Sequence, residues 1–283
     1  MIFYFICIIL ICIILYLLRK RCTCKKEGFN STEFPKTIWT FWDDNEIPSF
    51  VKCCISSWKK HNPEYKVITV NKETVKDYIK NVNIDEIKFI DSPQRYSDVV
   101  RLCLLAEHGG VWCDASTMMQ DSLHWLEKEL KDKDFVGFYL DGFTSRKEYP
   151  VIESWFFACK PKTKFIEEWK KEFLRIEQFD SISDYLTSCK SEIDFQNITM
   201  PSYLAIHISA QYVMQKILST ESLKLLKAED NPYFYLTQVD WNSQKAMENF
   251  CKGEVKTSLI KFRSGERKAL EKLKYKSCNE CTL

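Results

Sequence analysis

The sequence predicts an α/β domain carried behind one membrane-spanning helix. Three observations lead there. Short apolar, strand-prone runs alternate with amphipathic helical stretches from residue 35 onward, the pattern of strand–helix–strand units. A largely apolar helical stretch, residues 95–108, ends on Gly109-Gly110 and runs directly into the strand-like Val111-Trp112-Cys113. The first 18 residues carry no charge and are almost all Ile, Leu, Phe, Tyr and Cys.

Taken in order, residues 1–18 form the expected transmembrane anchor, because at about 1.5 Å per residue they nearly span a hydrocarbon core of roughly 30 Å. A cleaved signal peptide would need a basic start and a small-residue cleavage site, and the sequence has neither. Residues 19–34 are a basic juxtamembrane linker with Arg19, Lys20, Arg21, Lys25 and Lys26. All these basic residues follow the span, so the positive-inside rule puts the body of the protein on the cytoplasmic side. The domain itself occupies 35–265, and 266–283 is a charged, helical tail. Within the domain, strands are expected at 36–42 and 65–70, with helices at 48–60 and 72–80 between and after them. Further strands are expected at 134–140 and 154–160. A long amphipathic helix starts at Pro161, with Phe165, Ile166, Trp169, Phe173 and Leu174 on its buried side. An apolar helix covers 201–218, and 255–262 reads as a final edge strand.

Composition narrows the function. Apolar residues make up 45% of the chain, ample for one core, and aromatic residues 14%. The formal net charge is +2, and the chain beyond residue 30 holds 36 basic and 38 acidic residues. Nothing in that balance points to a nucleic-acid surface, and no nucleic-acid partner is expected. Of the thirteen cysteines, Cys53, Cys54, Cys103, Cys113 and Cys159 lie in apolar surroundings and read as reduced core residues. The odd count without a disulfide-like framework points to a reducing compartment.

The most informative stretch is Gly109-Gly110-Val111-Trp112-Cys113-Asp114-Ala115-Ser116. In open α/β sheets ligands collect beyond the carboxyl ends of the strands. Asp114 is placed there, where a carboxylate can face a bound nucleotide diphosphate through a divalent cation. Asp98 and Arg101, three apart on the preceding helix, share one face. An acceptor beside a fixed cation suits a ribose hydroxyl and a phosphate. Arg95, at the helix start, and Lys261 and Arg263, after the last expected strand, are further basic candidates for phosphate.

Four ordered blocks carry a family resemblance: Pro35-Lys36-Thr37-Ile38-Trp39-Thr40-Phe41-Trp42, Ser56-Ser57-Trp58-Lys59-Lys60-His61-Asn62-Pro63, Arg95-Tyr96-Ser97-Asp98-Val99-Val100-Arg101 and the run ending Asp114-Ala115-Ser116. Together they resemble the capsular polysaccharide synthesis glycosyltransferases, relatives of the sugar transferases that contain an Asp-x-Asp motif. The resemblance implies a GT-A-like nucleotide-diphospho-sugar transferase fold, a single Rossmann-like domain, behind the transmembrane helix. It implies a nucleotide-diphosphate sugar donor, a glycan, polysaccharide or glycolipid acceptor, and retention of anomeric configuration. It also implies a divalent cation, Mn2+ or Mg2+. Residue by residue, it assigns Trp42 as the base platform, with Trp39 as rival, and Asp98 and Arg101 as holders of ribose and phosphate. Asp114 and Ser116 take the metal positions. Ser116 stands where the wider family has a second acid, and a hydroxyl is a much weaker metal ligand than a carboxylate. Glu153 begins a segment like the family's acidic-x-Trp element and is expected at the donor sugar or acceptor. His207 occupies the region where relatives carry a polar, sometimes metal-adjacent residue, so it joins the expected metal set.

The expected function is therefore a membrane-anchored sugar transferase that uses Asp114, Arg101 and Glu153. The eukaryotic relatives suggest a luminal layout against the cytoplasmic one given by the charges, and both stay open. A tethered binding module without turnover is the alternative, kept alive by Ser116.

Overall fold

The computed structural model describes residues 34–44 and 46–273. The expected anchor at 1–18, nearly all of the linker and the end of the tail lie outside the described residues. Among the described residues, no helix is long and apolar enough to cross a membrane.

The chain alternates as the hydrophobic pattern demands. Strand β1 (Thr37–Phe41) leads into helix α1 (Ser49–His61), which returns the chain to β2 (Lys66–Val70). Helix α2 (Pro93–His108) then crosses back to β3 (Gly110–Cys113), which pairs on the other side of β1. Both pairings are parallel, with Trp39 opposite Ile68 on one side and Trp112 on the other. Helix α2 starts on Ser92, whose hydroxyl accepts from the Arg95 N–H, with Pro93 in its first turn. It ends where Gly109 and Gly110 take φ values of 64° and 95°. A Cβ on Gly110 would meet the Thr37 carbonyl oxygen at 2.5 Å, and one on Gly109 the Pro161 nitrogen at the same distance. The glycine pair thus lets β3 lie directly against β1.

The second half of the sheet is mixed. Strand β6 (Ile152–Cys159) runs antiparallel to β3, and β5 (Phe135–Tyr139) runs antiparallel to β6. Strand β7 (Leu223–Lys227) closes the edge parallel to β5, giving the order β2-β1-β3-β6-β5-β7. Successive residues of these strands serve opposite cores. Trp112, Phe135 and Phe157 pack with α2 and with Trp169 and Phe173 of α3 (Lys164–Leu174), while Val111, Val136, Phe138 and Phe156 pack with Trp58 of α1 and with Met247 and Phe250 of α4 (Ser243–Cys251). The sheet is therefore buried on both faces, which explains its nearly continuous apolar strands.

Several expected elements change form. The helix expected at 72–80 is a single turn, Val75–Asp77. Asn71 and Thr74 bond each other's backbone N–H groups there, a side-chain-closed turn that competes with helix extension. The helix expected at 201–218 begins at Ala205 and finishes as a π-helical turn, Val213–Ile217. The final strand shortens to β8 (Leu259–Lys261) and joins β4 (Thr117–Met119) in a separate antiparallel ladder. The main-sheet edge is instead β7. Helix α5 (Ser264–Lys272) packs against α4 and buries Ala269 and Leu270, and the expected boundary at residue 265 falls within it.

Candidate active site

Strands β1, β2 and β3 run parallel, so their carboxyl ends share one edge of the sheet. Asp114 follows β3 there. Its N–H donates to the Trp155 carbonyl of β6 (2.8 Å), and Trp112 donates its indole N–H to Asp114 Oδ1 (3.0 Å). These bonds fix the turn and aim the carboxylate off the edge, where its side chain stays 27% accessible.

Two cations converge on it. Lys261 Nζ donates to Asp114 Oδ2 at 2.7 Å and to Ser116 Oγ at 3.2 Å. Arg101 Nη2 lies 3.6 Å from Asp114 Oδ1 and 3.0 Å from Asp98 Oδ1. Asp98 and Arg101, three apart on one helix face as expected, form an intrahelical ion pair. Arg101 is further fixed by donating through Nη1 to the Ser154 carbonyl (2.5 Å) and by stacking over Trp112, 5.0 Å from the ring centre. Burial pushes the Asp114 carboxyl up, but Lys261 and Arg101 outweigh it and hold it below its ordinary 3.8. For Asp98 burial wins, and its pKa is raised despite Arg101.

A second cluster lies beside the first on β6. Glu153 accepts from the Trp155 indole (2.6 Å) and the Tyr233 hydroxyl (3.2 Å), and His207 Nε2 lies 3.8 Å from its other oxygen. Burial opposes ionisation of Glu153, yet His207, Trp155 and Tyr233 together keep its pKa below 4.5. Trp155 joins the two clusters: it bonds Glu153, lies 5.7 Å from the Tyr233 ring and carries Lys261 Nζ 5.5 Å above its own ring. Two buried polar side chains keep unused nitrogens. Among the described residues, His207 Nδ1 and Arg95 Nη1 have no hydrogen-bond partner, although Arg95 Nη2 donates to the Ser202 carbonyl at 2.8 Å.

The remaining predicted residues divide. Trp42 follows β1 at the same sheet edge and is partly exposed, its indole N–H donating to the Glu46 carbonyl at 3.4 Å. Trp39 is corrected to a core residue. It is 4% exposed, donates to the Gly109 carbonyl (3.0 Å) and packs edge-on against Tyr78. The expected metal set is divided between the two clusters. His207 stands with Glu153, while Asp114 and Ser116 share the Lys261 ammonium. Among the described residues, no three His, Cys, Asp or Glu side chains are grouped to hold a metal ion. One carboxylate and one hydroxyl bridged by a buried lysine do not fit a divalent cation.

Sequence reasoning missed Tyr233, which no spacing signals, and placed Lys261 only by its position after a strand. An open groove of about 850 Å3, lined by Ser57, Lys60, Gln120, Asp121, Phe234 and Thr257 among others, does not reach Asp114. Burial also pushes the Cys54 and Cys113 thiols upward, which removes them as nucleophiles.

The fold and the cluster define a mixed α/β protein with Arg101 and Lys261 gathered on Asp98 and Asp114 at the carboxyl edge of its parallel strands. The chain belongs to the capsular polysaccharide synthesis protein family, matching it over residues 16–276. It is similar to the O-glycosyltransferase braB of Annulohypoxylon truncatum, 25% identical over 160 residues, which are 50% of this chain and 37% of that protein. The chain therefore spans well under half the length of this curated relative. Among solved structures, galactosyltransferase LgtC in complex with donor and acceptor sugar analogs is 12% identical, with a TM-score of 0.45 over 85% of this chain and 95% of that one. Glycosyltransferase GlyE of Streptococcus pneumoniae TIGR4 is 11% identical, with a TM-score of 0.48 over 89% and 61%.

Proposed function

We propose that the chain is a glycosyltransferase of GT-A-like architecture that moves a sugar from a nucleotide-diphosphate sugar to a hydroxyl of a glycan, polysaccharide or glycolipid. The carrying observation is the convergence of Arg101 and Lys261 on Asp114 at the sheet edge. Cleaving the anomeric bond leaves negative charge on the diphosphate and makes the sugar oxocarbenium-like. Fixed cations facing that charge lower the barrier without reorganising. Arg101 is held by Asp98, Ser97 and Ser154, so its guanidinium is oriented before donor arrives. Partly exposed Trp42 takes the base, and Asp98 the ribose. Glu153, kept ionised beside His207 and Tyr233, faces the developing positive charge on the sugar. Retention of configuration belongs to the proposal through the family resemblance.

Membrane attachment through residues 1–18, with the body on the cytoplasmic side, is part of the same proposal. Protease protection of sealed vesicles tests it: a body digested from the cytoplasmic face agrees, and one cut only from the other face rejects it.

The donor is tested by thermal stabilisation of the full chain in detergent with a panel of UDP- and GDP-sugars. A donor at about 100 times its Kd raises the midpoint by roughly 5 °C or more. No shift with any member of the panel would overturn the assignment. Stabilisation without release of nucleoside diphosphate would favour the binding module.

A further inference from the structure

We infer that Lys261 is the built-in cation of this site, filling the position between Asp114 and Ser116 that a divalent metal takes where two acids flank it. The inference rests on the transferase reading and specifies how the leaving group is stabilised.

Four observations carry it. Lys261 Nζ contacts both would-be metal ligands, Asp114 Oδ2 at 2.7 Å and Ser116 Oγ at 3.2 Å. The β4–β8 ladder sets Lys261 opposite Thr117, and the Phe262 N–H donates to the Ser116 carbonyl (3.0 Å), so the lysine is locked beside this turn. The Lys261 side chain is only 9% accessible and lies over the Trp155 ring, an enclosed path with little room to withdraw. Finally, the motif has a serine where a metal site wants its second carboxylate. A hydroxyl accepts comfortably from an ammonium, whereas a second carboxylate would draw a second charge. The Asp-x-Ser form and the buried lysine are therefore one arrangement.

In the transfer step the bond from the anomeric carbon to the diphosphate oxygen breaks, and its electron pair stays on that oxygen. The acceptor oxygen forms the new bond to the anomeric carbon, and its proton passes to the departing phosphate oxygen. Lys261 and Arg101 face the charge as it appears on the diphosphate, while Asp114 holds the ammonium in place.

The test is calorimetric titration of UDP and of GDP into the full chain in detergent, in EDTA and again in MnCl2, with Lys261→Met and Lys261→Arg alongside. Wild type is expected to bind one of the two equally well in both media. Lys261→Met weakens that binding about 100-fold with no rescue by manganese, while Lys261→Arg keeps part of it. Binding by wild type that requires manganese, or Lys261→Met binding like wild type, overturns the lysine assignment and leaves the transferase reading standing. Binding of neither diphosphate in either medium overturns both. The wild-type comparison needs no variant to fold.

Discussion

Lys261 and Asp114 are 147 positions apart in sequence, yet their charged atoms lie 2.7 Å apart at the carboxyl edge of the parallel strands. The pair is enclosed on the lysine side, 9% accessible, and partly open on the aspartate side, 27% accessible. Asp114→Asn leaves a mostly buried ammonium without its counter-charge. It is expected to cost about 2 kcal/mol, below the figure for a fully buried pair because water reaches the carboxylate. Asp114→Asn with Lys261→Met should regain part of that loss. Urea denaturation of the two single variants and the double variant measures the coupling, and strictly additive losses would reject the pairing.

Glu266 gives a clean pH prediction. It is fully buried and accepts from Ser243 Oγ (2.6 Å), the Arg263 N–H (2.8 Å) and the Arg263 guanidinium. Burial works against its charge, but these bonds outweigh it and depress its pKa below 4.5. A depressed carboxyl contributes stability above its unfolded pKa and loses it as pH falls through the folded value. Glu266→Gln is therefore expected to be destabilised by about 3 kcal/mol at pH 7, with the gap to wild type closing below pH 4.5. Denaturation midpoints from pH 3 to 7 check this, and a gap that widens in acid would contradict it.

The two tryptophans of the first strand region should separate by phenotype. Trp39→Ala opens a cavity beneath the sheet and should cost about 3–5 kcal/mol. Trp42→Ala should change stability by about 1 kcal/mol or less while weakening nucleotide binding by about 1–3 kcal/mol, the scale of one base stacked on an aromatic ring. Calorimetry and denaturation on both variants decide. Intact nucleotide affinity in Trp42→Ala would remove it as the base platform.

Glu153 is assigned to the sugar and not to the diphosphate, which predicts a split between affinity and rate. Glu153→Gln should lower donor turnover about 100-fold and leave UDP or GDP affinity near wild type. Tyr233→Phe removes one hydrogen bond to Glu153 and should show a weaker version of the same split, with about 1 kcal/mol lost in stability. Equal losses in nucleotide affinity and turnover would return Glu153 to the diphosphate.

Much of this site was legible in the sequence because its supports are local. Helix α2 declares itself by its apolar face, by Ser92 and Pro93 at its start and by the glycine pair at its end, and these alone put Asp98, Arg101 and Asp114 in order. The parallel strands were readable for the same reason, since each is a short apolar run next to an amphipathic helix. What stayed hidden was long-range. Strands β4 and β8 have three residues each, too few to carry a period, and their pairing is what brings Lys261 to Ser116. Trp39 and Trp42 are near neighbours of like chemistry, and only the packing of Tyr78 and Gly109 around the first separates core from edge. His207 lies on an apolar helix whose direction fixes its partner, and no spacing links it to Glu153 rather than to Asp114.

The central claim is that cations fixed at this edge stabilise a departing diphosphate, and Arg101 tests it most directly because Ser97, Asp98, Asp114, Ser154 and the Trp112 ring hold it before donor arrives. The measurement is release of nucleoside diphosphate from the UDP- and GDP-sugar panel by wild type and by Arg101→Met, with denaturation to confirm that the variant is folded. The account predicts release by wild type from at least one donor and a fall of about 1000-fold in the folded variant. Release at the wild-type rate from Arg101→Met, or none from wild type with any donor, would contradict it.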